Sequence, residues 1–169
     1  VSVIFFELQS PVLATAFTVD ALKGVQDDLC LVDELTHQRK HLTKLKNVGD
    51  LVVIAGPLDL ATYNHAMGHA NEEALGLVMQ LKQAFPTAAA ALHMGRVTAC
   101  VVGVTKVQLD IFGDTVNSCS RIADAAVTAS KIGGAATAGQ LNGVVYVSLP
   151  FWDFEPRVVD DDARAKKRK

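Results

Sequence analysis

The feature of this sequence that most restricts its fold is a pair of short apolar runs separated only by Gly49-Asp50. The runs span 42–48 and 51–55, and a Gly-Asp pair between two such runs is typical of a hairpin turn. Two strands joined by so short a link must be antiparallel, because a parallel pair needs a crossover connection of about a dozen residues or more. The sequence therefore predicts a sheet built partly from hairpins, with Asp50 at the tip of one.

The remaining elements follow from the spacing of the apolar residues. Apolar residues three or four positions apart predict helices, and short runs rich in β-branched residues predict strands. Because strand pairs adjoin without crossover helices, we predict an α+β, ferredoxin-like sandwich with a mostly antiparallel sheet flanked by helices. A Gly- and Ala-rich stretch is predicted to be a loop over 133–143. The predicted strands are 1–8, 89–94, 100–104, 106–111 and 144–149, and the predicted helices are 18–41, 59–85 and 113–129.

Length and charge limit the domain organisation and the partners. A chain of 169 residues suits one domain with a full core, which we place over 1–156, followed by a charged, poorly ordered tail over 157–169. Five of the last six residues are basic, so the rest of the chain must be acidic for the total formal charge to be -2. An acidic body does not attract a polyanion, so nucleic acid is not an expected partner.

Cysteine and histidine spacing gives no sign of a structural metal or a disulfide framework. The three cysteines lie far apart, which suits a reducing, cytoplasmic location. His37/His41 and His65/His69 are each four apart on predicted helices, but no third ligand accompanies them, so surface positions are favoured over a zinc site. No apolar run reaches the roughly 18 residues of a membrane span, although a larger membrane-anchored parent protein stays open.

Three carboxylates fall where predicted strands end or turn: Glu7, Asp50 and Asp110. If the first strand lies beside the predicted hairpin, Glu7 and Asp50 approach each other, and two close carboxylates repel unless a cation lies between them. Mg²⁺ binds through one or two carboxylates plus substrate phosphates, so the pair is a candidate metal platform. The alternative interpretation is that Asp50 is only a turn residue and Glu7 a surface charge.

A second polar pair lies on the predicted third helix. Asn117 and Arg121 are four residues apart, so they share one helix face. An amide beside a guanidinium suits a ribose oxygen and a phosphate, and a solvated polar face is the alternative.

Two longer segments resemble motifs of a known protein family. Lys44-Leu-Lys-Asn-Val-Gly-Asp50 resembles Lys-Ile-Lys-Thr-Ile-Gly-Asp, a segment of the class III adenylate and guanylate cyclases. Lys106-Val-Gln-Leu-Asp-Ile-Phe-Gly-Asp-Thr-Val-Asn-Ser-Cys-Ser-Arg-Ile122 is similar to a later signature of that family almost position for position. The resemblance covers about 1–125, and the chain is identified by it as a member of the family.

The resemblance implies a ferredoxin-like domain that dimerises head to tail, as a homodimer or with another cyclase-type domain, with active sites at the interface. It implies that Glu7 and Asp50 hold two Mg²⁺ or Mn²⁺ ions and that Asn117 orients the ribose. Arg121 would stabilise the phosphate in the transition state. Lys46 and Asp110 occupy the two base-reading positions, where guanylate cyclases have Glu and Cys. The Lys/Asp pair implies ATP as the substrate, converted to 3',5'-cyclic AMP and pyrophosphate.

The metal and phosphate end departs from the family pattern. Glu7 stands where the family has Asp, and its extra methylene displaces the carboxylate. The segment 8–12 includes Pro11, which has no N–H to offer a phosphate, where the family has a glycine-containing loop. The late phosphate-binding lysine cannot be aligned. Two alternatives to an active cyclase therefore stay open: a degenerate half that lends its nucleoside-binding residues to a partner domain, and a non-catalytic dimerisation module.

Overall fold

A computed structural model of the protein describes residues 1–8, 18–58, 63–136 and 144–148. Within these ranges strands and helices follow one another in the mixed order that the sequence predicts. They are β1 (Ser2–Glu7), α1 (Val19–His37), β2 (Thr43–Val48), β3 (Leu51–Gly56), α2 (Tyr63–Ala84), β4 (Ala89–Met94), β5 (Thr98–Val102), β6 (Gln108–Phe112), α3 (Asp114–Ala136) and β7 (Val145–Val147).

The main sheet has five strands in the order β2-β3-β1-β4-β7. Every neighbouring pair is antiparallel except β4 and β7, which are parallel. Strands β5 and β6 form a separate antiparallel hairpin. The predicted α+β fold with a mostly antiparallel sheet is confirmed.

Helices cover both faces of the sheet, and β1 shows why. Its side chains alternate between the faces, so Ile4 and Phe6 pack with α1 and α2, while Val3 and Phe5 pack with α3. We call these the α1/α2 face and the α3 face. The strand is apolar on both sides because it lies at the centre of the sheet with helices above and below.

His37 and His41, which the sequence predicts on one helix, do not share a helix. Helix α1 ends at His37, four residues earlier than predicted, with a turn in which the Arg39 N–H donates to the Thr36 carbonyl at 2.9 Å. His41 therefore lies between α1 and β2, where its ring stacks on that of His69 with centroids 6.3 Å apart. The spacing of four residues between His37 and His41 therefore does not place them on one helix.

The predicted loop over 133–143 is wrong for its first four residues. Helix α3 runs to Ala136, through Gly133 and Gly134, seven residues beyond the predicted end. Its buried stripe includes Ala126, Val127 and Ser130, and the low helix propensity of the two glycines does not end the helix. Residues 137–143 lie outside the described ranges, as does the predicted tail over 157–169.

In the parts of the chain that the structure describes, no helix has both the length and the apolar character needed to cross a membrane.

Candidate functional site

A β-bulge in β2 decides which way the motif lysines point. Lys44 pairs with Ile54 of β3 and Lys46 pairs with Val53, so Leu45 is an extra residue in the ladder. Ile54 belongs to the α1/α2 face and Val53 to the α3 face. Two lysines that a regular strand would place on one side therefore lie on opposite sides, because a bulge shifts the alternation by one residue.

Lys46 forms an ion pair with Asp110 of β6 on the α3 face. Its Nζ lies 2.9 Å from Oδ1 and 2.7 Å from Oδ2 of the aspartate. The Ile111 N–H also donates to Asp110 Oδ1, at 2.9 Å. The two side chains are 32% and 13% exposed, so the pair is partly shielded and one side remains open to a ligand. The structure thus brings together the two residues that the sequence predicted to read the base.

This pairing keeps Asp110 ionised. The hydrogen bond from Lys46 lowers the pKa of the Asp110 carboxyl below its ordinary value. Burial opposes that shift by disfavouring the charged form, and the bond from the Ile111 N–H adds to it. At neutral pH this face therefore presents a fixed cation and a fixed anion side by side.

The two residues that would carry the metal carboxylates, Glu7 and Asp50, lie at the same end of the neighbouring strands β1 and β3. Glu7 ends β1 and pairs with Leu51, the first residue of β3. The Leu8 N–H donates to the Asp50 carbonyl at 3.1 Å, and Gly49 makes the hairpin turn with a φ of 63°. The predicted approach of the first strand to the hairpin is confirmed, and by alternation from Phe5 the Glu7 side chain projects on the α3 face, like Lys46.

These carboxylates fit a cation of the magnesium type by their chemistry. Among the described residues, no group of three or more His, Cys, Asp or Glu side chains could hold a metal on its own. Mg²⁺ does not need such a cage, because it completes its shell with waters and substrate phosphates. Two carboxylates on adjacent strand ends are therefore of the donor type that Mg²⁺ accepts.

Asn117 and Arg121 lie on the exposed side of α3, one turn apart as predicted. Cys119 and Ala123, two residues further in each case, lie on the buried side of the same helix. Neither exposed side chain forms a hydrogen bond or ion pair with another residue in the described ranges. The structure presents both to the outside and does not join them to the Lys46–Asp110 pair.

Two other polar side chains, the buried Cys119 and the half-buried His93, are engaged within the domain. Cys119 is fully buried, and burial raises the pKa of its thiol to about 12. His93 Nδ1 lies 2.7 Å from Ser148 Oγ, and burial lowers the pKa of the imidazole.

Part of the predicted phosphate site cannot be placed. Pro11 and its neighbours over 9–17, and the tail lysines, lie outside the described residues.

Comparison with known proteins decides the family. Residues 1–133 match the family model of the adenylate and guanylate cyclase catalytic domain. The chain belongs to this family. Its cyclase motifs are thus part of a domain-length match that covers most of the sequence.

Solved structures of cyclase domains share the fold at low sequence identity. The adenylyl cyclase CyaB from P. aeruginosa is 17% identical, with a TM-score of 0.62 over 89% of this chain and 77% of that one. The catalytic core of a rhodopsin-guanylyl cyclase with converted specificity, in complex with ATPalphaS, is 20% identical, with a TM-score of 0.60 over 73% and 70%. A dimeric guanylyl cyclase domain from the aquatic fungus Blastocladiella emersonii is 19% identical, with a TM-score of 0.60 over 73% and 72%.

Sequence reasoning missed two features that shape the site of this cyclase domain. The bulge at Leu45 has no signal in the sequence, because a leucine between two lysines fits a regular strand equally well. The second is a contact between Arg96 and Thr115, described below, for which Gly95 was the available sign.

Proposed function

We propose that this domain is an adenylate cyclase that converts ATP to 3',5'-cyclic AMP and pyrophosphate. The observation that carries the proposal is the unused hydrogen-bonding capacity of the Lys46–Asp110 pair. An ammonium group has three N–H donors, and a carboxylate has about four lone-pair sites. Lys46 uses two donors on Asp110, and Asp110 accepts three bonds in all, from Lys46 and from the Ile111 N–H. One donor and one acceptor remain, side by side.

That remaining pair complements adenine. Adenine offers an acceptor at N1 and a donor at its 6-amino group, which match the free donor of Lys46 and the free acceptor of Asp110. Guanine offers a donor at N1 and an acceptor at position 6, so the Lys46 donor would face a donor and the Asp110 acceptor would face an acceptor. Leaving such groups unpaired in a binding site costs about 1–3 kcal/mol each, which favours ATP by roughly a hundredfold or more for the pair.

The other residues complete a site for ribose and triphosphate. Asn117 holds the ribose, and the guanidinium of Arg121 donates to the phosphate oxygens as negative charge grows on them. Glu7 and Asp50 would hold two Mg²⁺ or Mn²⁺ ions, which when bound lower the pKa of the ribose 3'-hydroxyl and neutralise the triphosphate. The residues of this chain thus contribute positioning and fixed charge, which suits phosphoryl chemistry.

An exposed apolar surface supports assembly of the site between two copies. The β5–β6 hairpin leaves Val101, Val107 and Leu109 exposed, and Val104 near its tip is 95% exposed. A clustered apolar surface of this kind is typical of a protein interface. The same hairpin carries Asp110, so a partner bound on it would lie next to the base-reading pair. We propose a homodimer in which each site takes its metal carboxylates from one copy and Arg121 from the other.

Glu7 favours a second candidate function. Its longer side chain moves the carboxylate relative to the aspartate of the family, and misplacement by about 1 Å can lower a rate roughly a hundredfold. In this alternative the chain lends its base-reading residues to a partner domain that has better metal carboxylates.

The two candidates are separated by a mixing experiment on the purified domain with Mn²⁺ or Mg²⁺ and ATP. The proposal expects cyclic AMP from the wild type and almost none from Asp50→Asn or Arg121→Ala alone. An equal mixture of the two variants regains about a quarter of the wild-type activity, because half of the randomly paired dimers hold one intact site of two. Activity only after addition of another cyclase domain would support the second candidate, and no recovery in the mixture would refute the shared site.

A further inference from the structure

The turn before β5 is fastened to the first turn of α3 by one buried side chain. Thr115 is 7% exposed, and its Oγ1 donates to the carbonyl oxygen of Arg96 at 2.6 Å. Arg96 lies between β4 and β5, at the entrance to the hairpin that carries Asp110. Because the hydroxyl of Thr115 donates to a carbonyl outside its own helix, it links α3 to the turn before β5, and no strand pairing joins these two segments.

The turn before β5 can approach Thr115 closely because residue 95 is a glycine. A Cβ at Gly95 would lie 2.4 Å from Thr115 Oγ1, too short for any relaxed contact, and 3.2 Å from its Cγ2, which is tight. The turn can therefore rest on the threonine only because residue 95 has no side chain. On the other side Gly113, with a φ of 133°, leads the chain from β6 directly into α3.

Thr115 stands between the two halves of the proposed nucleotide site. It follows Asp110 by five residues and precedes Asn117 by two and Arg121 by six. The carbonyl of Gly113 accepts from the Asn117 N–H at 3.2 Å, so Thr115 lies within the turn from which Asn117 projects. Thr115 faces inward, whereas Asn117 and Arg121 face outward, so it can affect them only through the position of the helix.

We propose that Thr115 is a positioning residue that sets where Asn117 and Arg121 stand relative to the base-reading Asp110. The inference rests on the proposed cyclase activity, because it concerns the geometry of that site. Base binding depends on the Lys46–Asp110 pair, which Thr115 does not touch, whereas transition-state contacts depend on α3. Loss of the Thr115 bond therefore acts mainly on kcat, and KM rises by no more than about twofold through the ribose contact of Asn117.

The test compares three single variants of the whole chain. Thr115→Val keeps the shape of the side chain and removes only the donor, and Thr115→Ser keeps the donor. Thr36→Val is the matched control, because Thr36 is 3% exposed and donates to the Val32 carbonyl at 2.7 Å in α1, away from the site. We expect Thr115→Val to lose about tenfold or more in kcat with KM within about twofold, as expected for misplaced groups. Thr115→Ser and Thr36→Val should stay close to the wild type in kcat.

A second measurement needs no activity at all. Amide hydrogen exchange should become faster over 96–100 and 114–118 in Thr115→Val and stay at the wild-type rate there in Thr36→Val. A wild-type enzyme that makes cyclic AMP while Thr115→Val keeps its kcat would overturn the inference and leave the proposed function standing. If the wild type makes no cyclic nucleotide, the proposed function fails, and unchanged exchange in Thr115→Val would then separately refute the link between turn and helix.

Discussion

Replacing Lys46 by methionine tests the base-reading pair most sharply. The substitution keeps the length and most of the apolar stem of the side chain and removes the ammonium group. Asp110 then loses the two bonds of 2.9 and 2.7 Å to Lys46 and keeps the one from the Ile111 N–H. It is only 13% exposed, so water replaces the lost partner incompletely.

The size of the effect follows from these contacts. Methionine cannot donate to adenine N1, and the Asp110 carboxylate faces the base without its neutralising partner. A hydrogen bond to a charged group contributes about 1.5–3 kcal/mol, which corresponds to a rise in Kd for an ATP analogue of roughly 10- to 150-fold. The preference for ATP over GTP should shrink as well, because the variant lacks the Lys46 ammonium donor that would clash with the N1–H donor of guanine.

The assay is calorimetric titration with a non-hydrolysable ATP analogue, and Lys44→Met is its matched control. The chain offers the same substitution two residues away, but the bulge at Leu45 places Lys44 on the α1/α2 face, where it pairs with Asp33 of α1. Lys44→Met should leave Kd within about twofold of the wild type, since no base contact is removed. Equal weakening by both variants, or none by Lys46→Met, would refute the assignment.

Three further predictions concern the fold and its titration. The free energy that the ion pair of Asp110 contributes is present above the unfolded pKa of about 3.9 and is lost as the pH falls through the lowered folded value. The stability gap between the wild type and Asp110→Asn in urea denaturation should therefore narrow from about pH 6 to about pH 2.5, and a constant gap would contradict it. Maleimide should label Cys30 and Cys100 at neutral pH but not buried Cys119 until the chain is denatured, which intact mass measures. Leu77→Ala should lower the free energy of unfolding by about 2–5 kcal/mol, because this fully buried side chain fills the α1/α2 face, and a loss under about 1 kcal/mol would argue against that packing.

Local turn chemistry made much of the fold predictable. The Gly49-Asp50 pair forces an antiparallel hairpin, and the structure has one between Val48 and Leu51, with β1 beside it. Lys46 and Asp110 could be paired from the sequence because both lie in segments that resemble cyclase motifs, and the structure joins them in an ion pair. The hairpin was predictable because it depends on a few neighbouring residues, and the Lys46–Asp110 pair was predictable only through the family resemblance, since the two residues lie 64 positions apart.

The errors arose where distant contacts decide the outcome. Helix α3 continues past its predicted end and through Gly133 and Gly134, so the low helix propensity of glycine did not decide where it ends. The bulge at Leu45 depends on its partner strand, since the chain between two lysines could pair in either register. The Thr115–Arg96 bond joins residues 19 positions apart, and nothing in either local sequence specifies it.

Lys46 of β2 and Asp110 of the β5–β6 hairpin are proposed to select adenine for cyclisation. The most direct measurement supplies the wild-type domain with equal ATP and GTP and Mn²⁺, and quantifies both cyclic nucleotides by mass spectrometry. We expect cyclic AMP in excess over cyclic GMP by about a hundredfold, because GTP would leave two hydrogen-bonding groups mismatched. Cyclic GMP in equal or greater amount would contradict it.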